Sequence, residues 1–569
     1  MAYYCNPLNI GYKYQHIRKL KDGGLGENCV CREAADPSMI LFKGRYYIFP
    51  SMTAGFLSSD DMVSWEYHPF LSEMPICDYA PDVRGVGEYM YFSASRRDEP
   101  CSFFRTKDPL TQPFEEIPGT FPFWDPNLFP DDDGNLYFYW GCSDEEPIYG
   151  AEMDPETMQR KTDPVVLIDS HMERIGYERK GHDHTLPGRP YIEGVWMTKH
   201  EGRYYLQYAI PGTEFNIYCD GVYVSEAPLG PFKLARNNPF SYMPGGFMPG
   251  AGHGSTMEDS EGRLWHTASM RISCNHMFER RIGIWKAGFD QDGDLFCDQR
   301  YGTWPVNTDT QAYAAPDWML LSYGKKVTAS SGTDPEAAVD ENCQTWWKAG
   351  SGRPGEWILL DLGREYLVHA AQINFMDDGI REEFVPGETA YSVAGDLRAI
   401  DRRPRRTCWK LEGSLDGNEF SVIEDKMNAE TDLPHDCVIR EEGIRIRFLK
   451  LTVGELPYGE TPCISGLRVF GKADGELPRQ TEDVDALPDG ALNMIVSWKE
   501  DDAVGHNILW GYAPDKLYHS YMVFGKNRQN IGALIEGEPV YIRVDAFNEA
   551  GITEGEVIQL KTGEQNEDS

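Results

Sequence analysis

The chain has 569 residues, which is enough for several domains that each bury a core of their own. Acidic residues outnumber basic ones by 91 to 54, and the resulting net charge of −37 argues against nucleic acid and anionic membranes as partners. Aromatic residues make up 12% of the chain, so an extensively disordered protein is also excluded.

The N-terminal segment and the cysteines both predict a cytoplasmic protein. The start of the chain lacks the apolar run of a signal peptide. The sequence also lacks a stretch of about eighteen consecutive apolar residues, which is the length needed to span a membrane. The 13 cysteines are odd in number and include no C-x-x-C pair, so neither a disulfide framework nor a zinc knuckle is expected. Another export route, or a signal that has been removed, remains the alternative.

Five segments in the first part of the chain repeat one plan. In each, a polar residue opens an apolar strand, a turn containing glycine follows, and an aromatic-rich strand comes next, as in ADPSMILFKGRYYIF from Ala35. The five polar openers are Asp36, Asp82, Asp125, Glu193 and His253. Four-stranded sheets that recur every 40 to 60 residues or so are typical of a β-propeller. We therefore predict an all-β fold whose residues 1–315 form a five-bladed propeller.

Equivalent positions on the innermost strands of a propeller meet at one end of its central axis. Asp36, Asp125, Glu193 and His253 are therefore expected to share one pocket. Asp82 follows a shorter spacing to its turn glycine, so we expect it to be structural. Taken singly, an Asp before Pro at the start of a strand is often only a turn residue. Four polar openers around one axis favour a functional site.

The grouped carboxyl groups match the chemistry of glycosidic bond hydrolysis. That reaction needs one protonated carboxyl as acid and one ionised carboxylate as base or nucleophile. Glu193 is the predicted acid, because its apolar neighbours Ile192, Val195 and Trp196 would raise its pKa by desolvation. Asp36 is the predicted base. Asp125, as a third carboxylate, would raise the pKa of the acid by charge repulsion.

The repeats resemble glycoside hydrolase family 43, a family of five-bladed propellers. The residues that carry the resemblance are the first-blade segment from Ala35, WDPNLFPDDDGNLYFYWG, EGVWMTKHEGRYYLQYA and GAGHGSTMEDSEGRLWHTA. The resemblance implies an inverting, exo-acting glycosidase with Asp36 as general base and Glu193 as general acid, and with Asp125 tuning and orienting that acid. It also implies that His253 lies beneath the sugar and contacts a structural calcium ion directly or through water. A metal-free, hydrogen-bonded histidine is the alternative.

Aromatic faces and an arginine are the predicted sugar contacts. The candidates are Trp124, Phe56, Trp196, Phe215 and Arg281. Trp124 is favoured because it precedes Asp125, and Arg280 is the alternative to Arg281. The histidines of GHDHTLPGRPYIEG, His182 and His184, are interpreted as part of a solvated rim loop rather than as a metal site.

Two β-sandwiches are predicted after the propeller. Residues 320–472 resemble discoidin or coagulation-factor type C domains, close kin of family 32 carbohydrate-binding modules, and residues 485–563 resemble fibronectin type III. A linker rich in Pro and Asp separates them. Trp346 and Trp347 are candidate sugar contacts, although a structural role is favoured for the first sandwich.

The sequence thus predicts a hydrolase that needs no organic cofactor and binds an oligosaccharide. The resemblance implies release of terminal α-L-arabinofuranose or β-D-xylose from plant-derived oligosaccharides. An exo-β-galactosidase on the same scaffold and a non-catalytic carbohydrate-binding propeller are the alternatives.

Overall fold

The computed structural model describes residues 2–21, 24–74, 80–95, 100–382, 390–393 and 398–561. These ranges contain strands, three short 3-10 helices (Gly176–Glu178, Pro335–Val339 and Pro457–Gly459) and no α-helix. Among the described residues, no helix has the length and apolar character needed to cross a membrane. The cysteines in these ranges are free thiols. The predicted all-β class is confirmed.

Five four-stranded antiparallel sheets follow one another along the chain. Blade 1 has the strands Ala35–Phe42, Arg45–Ser51, Gly55–Ser59 and Glu66–Pro69. Blade 2 has Asp82–Val86, Tyr89–Ser93, Phe103–Thr106 and Glu115–Ile117. Blade 3 has Asn127–Pro130, Leu136–Trp140, Ile148–Met153 and Val165–Ile168. Blade 4 has Glu193–His200, Arg203–Ile210, Cys219–Ser225 and Lys233–Leu234, and blade 5 has Gly252–Glu258, Leu264–Arg271, Arg280–Phe289 and Leu295–Cys297.

The blades close into a ring around a central axis. The first strand of each blade contacts the first strands of both neighbouring blades, and blade 5 contacts blade 1 in the same way. Apolar and aromatic side chains fill the space between adjacent blades. Between blades 1 and 2, for example, Ile40 and Phe49 pack with Val83 and Phe92. The five-bladed propeller predicted from the repeats is therefore present.

The alternating pattern of each repeat explains its hairpin. Aromatic and β-branched residues favour strands, and a two-residue turn with positive φ lets the chain reverse. The turn glycines Gly44 and Gly202 have φ of 81° and 80°, a region that costs other residues free energy. These turns place the start of every innermost strand at the same end of the ring.

An additional sheet connects the propeller with the region that follows it. Its order is Ala390–Val393, Arg398–Asp401, Lys13–Lys21 and Gly24–Glu33. The strand Gly24–Glu33 leads almost directly into the innermost strand of blade 1. Strands from a distant part of the sequence are therefore hydrogen-bonded to the segment that enters the propeller axis.

The C-terminal half forms further antiparallel sheets. One eight-stranded sheet contains Met319–Leu320, Lys326–Ala329, Trp347–Lys348, Trp357–Phe375, Trp409–Ser414, Ser421–Asp425, His435–Val453 and Cys463–Lys472. A three-stranded sheet contains Asp485–Pro488, Met494–Ser497 and Arg528–Ile531. A five-stranded sheet contains Gly505–Gly511, His519–Phe524, Tyr541–Asn548, Gly551–Thr553 and Ile558–Gln559. The short strands Tyr3–Tyr4 and Val306–Asn307 pair beside the propeller.

Candidate active site

In every blade, one residue at or just before the innermost strand has a left-handed backbone conformation. The five residues are Asp36, Ala80, Asp125, Gly194 and His253, with φ between 42° and 60°. In blades 1, 4 and 5, two residues of the innermost strand there oppose one residue of the second strand, which defines a β-bulge. Asp before Pro suits this position because the residue before proline avoids the right-handed helical region and Asp tolerates the left-handed one.

This alignment corrects the predicted equivalence of the five polar openers. Asp36, Asp125 and His253 occupy the left-handed position, whereas Glu193 lies one residue before it because Gly194 takes the bulge. Asp82 lies two residues after Ala80 and accepts hydrogen bonds from Asn127 Nδ2 and the Leu128 amide at 2.9 and 2.7 Å. Asp82 therefore ties blade 2 to blade 3.

Asp36 is held by a dense set of donors and is 6% exposed. Arg280 donates from Nη1 to Oδ1 at 2.6 Å and from Nη2 to Oδ2 at 3.1 Å. Ser51 donates to Oδ2 at 2.8 Å, and Ser269 Oγ accepts from the Asp36 amide at 2.8 Å. Burial alone would raise the pKa of Asp36, but Arg280, His253 and Ser51 hold it below its usual value. Asp36 is therefore ionised over the ordinary pH range.

Asp125 and Glu193 lie side by side. A carboxylate oxygen of Asp125, a carboxylate oxygen of Glu193 and the Sγ atom of Cys142 all lie within 4.8 Å of one another. Asp125 Oδ2 accepts the Gly194 amide at 3.3 Å. Burial, together with the charges of Glu193 and Asp36, raises the pKa of Asp125 to about 7 even though His253 lowers it. This part of the site therefore retains a proton close to neutral pH.

Two donors fix the carboxyl group of Glu193, which remains partly exposed. Tyr218 donates its hydroxyl to Oε1 at 2.6 Å, and Cys142 donates its thiol to Oε2 at 3.1 Å. Burial raises the pKa of both donors well above their usual values, and the charge of Glu193 adds to this. Tyr218 and Cys142 therefore stay protonated beside Glu193.

His253 lies between Asp36 on one side and the neighbouring Asp125 and Glu193 on the other. Its Nδ1 is 3.4 Å from Asp36 Oδ1 and 3.8 Å from Asp125 Oδ2. Burial disfavours the charged ring, but Asp36, Asp125 and Glu193 outweigh it and raise the pKa of His253. The described residues contain two groups of three metal-binding side chains, and His253 belongs to neither. Calcium at this position stays a prediction, and no step below depends on it.

Two of the predicted aromatic sugar contacts are core residues instead. Phe56 is 1% exposed and stacks on Phe49 at 4.8 Å between ring centroids. Trp196 is 3% exposed, donates to the Thr256 carbonyl, and is covered by the Arg84 guanidinium 3.4 Å from its ring centroid. Both point away from a bound sugar because they follow the alternation of an innermost or middle strand into the core between blades.

Trp124 and Phe215 belong to segments that border the site residues. Trp124 immediately precedes Asp125 and is half-buried. Phe215 is 8% exposed and belongs to the loop after the second strand of blade 4. In the same loop, Thr213 Oγ1 is 3.3 Å from Arg280 Nη1. Their roles in sugar binding remain predictions.

The inward arginine is Arg280, and the prediction of Arg281 is wrong. Arg281 is fully buried on the opposite face of the strand, where its Nε donates to His435 Nε2 at 2.7 Å and its Nη1 to the Arg32 carbonyl at 2.8 Å. Successive side chains of a strand point to opposite faces, so only one of the two can reach Asp36.

The histidine loop differs from expectation, whereas the tryptophan pair lies in the structural setting that was favoured for it. His184 is 1% exposed, with Nε2 3.1 Å from the Tyr242 hydroxyl, so it is not part of a solvated rim. His182 Nδ1 accepts the Asn216 amide at 3.2 Å. Trp347 is fully buried in the core of the eight-stranded sheet, and Trp346 packs against the core formed by blades 4 and 5. These tryptophans are therefore structural.

Several site residues escaped the sequence analysis. Tyr218 and Cys142 come from outside the innermost strands, and no motif marks either of them. Ser51, Ser95 and Ser269 share a detectable signal, since each lies within two residues of the end of a second strand. Ser95 Oγ accepts the Asp125 amide at 2.8 Å, as Ser269 does for Asp36. This recurring serine could have been found by aligning the repeats.

The chain is similar in sequence to known glycoside hydrolases. The model of the glycosyl hydrolases family 43 matches residues 27–295. The β-D-galactofuranosidase xynD of Aspergillus niger is 23% identical over 235 residues, which cover 35% of this chain and 63% of that enzyme, somewhat less than two thirds of its length. The xylosidase/arabinosidase 43A of Humicola insolens is 24% identical over 336 residues, covering 47% of this chain and 96% of that enzyme.

Solved structures include similar chains. A thermostable family-43 glycoside hydrolase is 23% identical, with 55% of this chain and 100% of that chain covered and a TM-score of 0.42. A GH43 protein of Bacillus licheniformis is 14% identical, with 82% of this chain and 98% of that chain covered and a TM-score of 0.41.

Proposed function

We propose that this protein is an inverting, exo-acting glycosidase that releases a terminal furanose or pentose from an oligosaccharide, and the match of residues 27–295 to the model of the glycosyl hydrolases family 43 supports this. The preferred units are α-L-arabinofuranose and β-D-xylose. The observation that carries the proposal is the pairing of an ionised carboxylate, Asp36, with a second carboxyl group that keeps its proton near neutral pH, Asp125 beside Glu193.

Each carboxyl group has one task in the proposed reaction. Glu193 gives its proton to the leaving glycosidic oxygen, and Tyr218 keeps its carboxyl group in place. Asp36 takes a proton from the water that attacks the anomeric carbon from the opposite side, so the configuration inverts. Asp125 lies close enough to Glu193 to disfavour a second negative charge, and this keeps the proton available.

Hydrolysis of a panel of aryl glycosides tests the proposal. Wild-type protein should release nitrophenol from at least one of the α-L-arabinofuranoside, β-D-xyloside and β-D-galactofuranoside substrates. Asp36→Asn should lose nearly all activity on every substrate, whatever its leaving group, because the attacking water is no longer activated. Glu193→Gln should lose activity on nitrophenyl glycosides but keep more of it on dinitrophenyl glycosides, whose leaving group needs little protonation.

Two further measurements complete this test. Proton NMR of the first product should show the inverted anomer, and the retained anomer would contradict single displacement. Glu145→Gln, an exposed substitution on blade 3, is the matched control and should retain wild-type rates. Equal activity of Asp36→Asn and wild type would remove Asp36 from the mechanism.

Three alternatives are separated by the same panel when a β-D-galactopyranoside is added to it. The printed activity of the Aspergillus niger relative supports a galactofuranosidase as the second candidate, and turnover of the galactofuranoside alone would select it. Turnover of the β-D-galactopyranoside would instead favour an exo-β-galactosidase. Binding of an oligosaccharide by wild-type protein without any turnover would favour a carbohydrate-binding propeller.

A further inference from the structure

Three successive ion pairs connect an arginine from the C-terminal half to Asp36. Arg398 begins the strand Arg398–Asp401, which pairs with the strand Lys13–Lys21. Its Nη2 donates to Glu33 Oε2 and, at 2.7 Å, to Gln15 Oε1. Arg398 is 5% exposed, and Glu33 is fully buried. The charge of Arg398 is therefore neutralised inside the protein and not by solvent.

The same glutamate holds the arginine that binds Asp36. Glu33 Oε1 accepts hydrogen bonds from Arg280 Nε at 2.9 Å and from Arg280 Nη2 at 2.7 Å. The guanidinium groups of Arg280 and Arg398 also lie 5.3 and 4.8 Å from the ring centroid of Phe278. The order Arg398, Glu33, Arg280, Asp36 alternates in sign, and the four formal charges sum to zero.

This balance depends on Arg398. A buried charge that loses its partner is strongly unfavourable, so the remaining groups rearrange to compensate it. Without Arg398, Glu33 and Asp36 would compete for the single guanidinium of Arg280. A shift of Arg280 toward Glu33 would loosen the carboxylate of Asp36, because Ser51, Ser269 and His253 would then be its remaining side-chain partners.

We propose that Arg398 is a positioning residue for the reaction, and that the propeller has a fully ordered base only when the strand Arg398–Asp401 is paired with it. The inference rests on the proposed function, since it concerns the same Asp36. In this role the C-terminal half acts on Asp36 through Glu33 and Arg280. Sugar binding by that half is not required.

Steady-state kinetics of the full-length chain test this role. Arg398→Met should lower kcat by roughly 10- to 100-fold and leave KM nearly unchanged, because the base acts in the chemical step and not in sugar binding. Arg398→Lys, which keeps the charge, should recover part of the loss. The double variant Glu33→Gln with Arg398→Met is again neutral in sum and should be more active than the product of the two single effects predicts.

The matched control is Arg403→Met, which removes an ion pair with Asp401 just beyond the same strand without touching Glu33. Melting temperatures of all variants separate loss of fold from loss of positioning. Wild-type kcat in Arg398→Met, an equal kcat loss in Arg403→Met, or simple additivity in the double variant would each overturn the inference while the proposed function stands. If Arg398→Met does not fold, Arg398→Lys and the double variant decide by the same criteria. A wild-type chain inactive on every glycoside overturns both.

Discussion

The hydroxyl of Tyr218 donates a hydrogen bond to Glu193 Oε1 at 2.6 Å. Both residues belong to blade 4, where Glu193 begins the innermost strand and Tyr218 immediately precedes the third strand. The contact orients the carboxyl group that the proposed mechanism uses as its acid. Its contribution can be measured directly.

Tyr218→Phe should lower kcat by about 10- to 100-fold, the effect of losing a hydrogen bond to a charged group. The measurement is kcat on a nitrophenyl substrate at the pH optimum. Tyr208→Phe is the control, because Tyr208 donates an equally short bond to the buried Glu178 at 2.6 Å in the same blade. We expect that control to lower the melting temperature and to spare kcat.

The pH profile of kcat/KM should be bell-shaped, with its basic limb near pH 7. The pKa of Asp36 is lowered, so the base stays ionised as the pH falls to its usual value of 3.8 and below. The pKa of Asp125 is raised to about 7, so the proton shared beside Glu193 is lost as the pH rises through 7. A flat profile between about pH 4 and 8 would contradict the assignment.

Asp125→Asn should move that basic limb to lower pH as well as reduce the maximal rate. The substitution removes the carboxyl group of Asp125, whose raised pKa of about 7 sets this limb. The measurement is kcat/KM across the pH range. Glu145→Gln should leave the limb in place, and an unmoved limb in Asp125→Asn would show that the two carboxyl groups do not interact.

Neighbouring arginines of one strand should behave in opposite ways. Arg280→Lys should reduce kcat by about 100-fold, because lysine cannot reproduce the two parallel bonds to Asp36. Arg281→Lys should mainly lower the melting temperature, since Arg281 binds His435 and the Arg32 carbonyl. Kinetics and thermal unfolding of both variants check this, and a larger kcat loss in Arg281→Lys would reverse the assignment.

Gly194→Ala should disrupt the site more than a comparable glycine substitution elsewhere in the blade. Gly194 has φ of 60°, and an added Cβ would lie 2.6 Å from Cγ of His253. Gly202 has φ of 80°, but a Cβ there would meet nothing within 4 Å. Gly202→Ala should thus cost only backbone strain, about 1 kcal/mol, with kcat retained. Equal activity of the two variants would show that packing against His253 is unimportant.

The repeats were sufficient to predict the blades and the meeting of Asp36, Asp125, Glu193 and His253. The alternation of strand residues and the turn glycines are patterns of a few residues, so they can be recognised in the sequence. The same local pattern could not place Glu193 one residue before the bulge, because that offset depends on which residue adopts positive φ. It also could not choose between Arg280 and Arg281, since one bulge inverts which face a strand residue occupies.

The sequence by itself determined that the fold is all-β, that five similar sheets surround an axis, and which acids line its end. Tertiary structure alone decided which donors surround those acids, namely Arg280 and Ser51 at Asp36 and Tyr218 and Cys142 at Glu193. The reason is physical. Strand formation follows from short-range patterns, whereas the protonation of a buried carboxyl group depends on charges and hydrogen bonds brought together from distant parts of the chain.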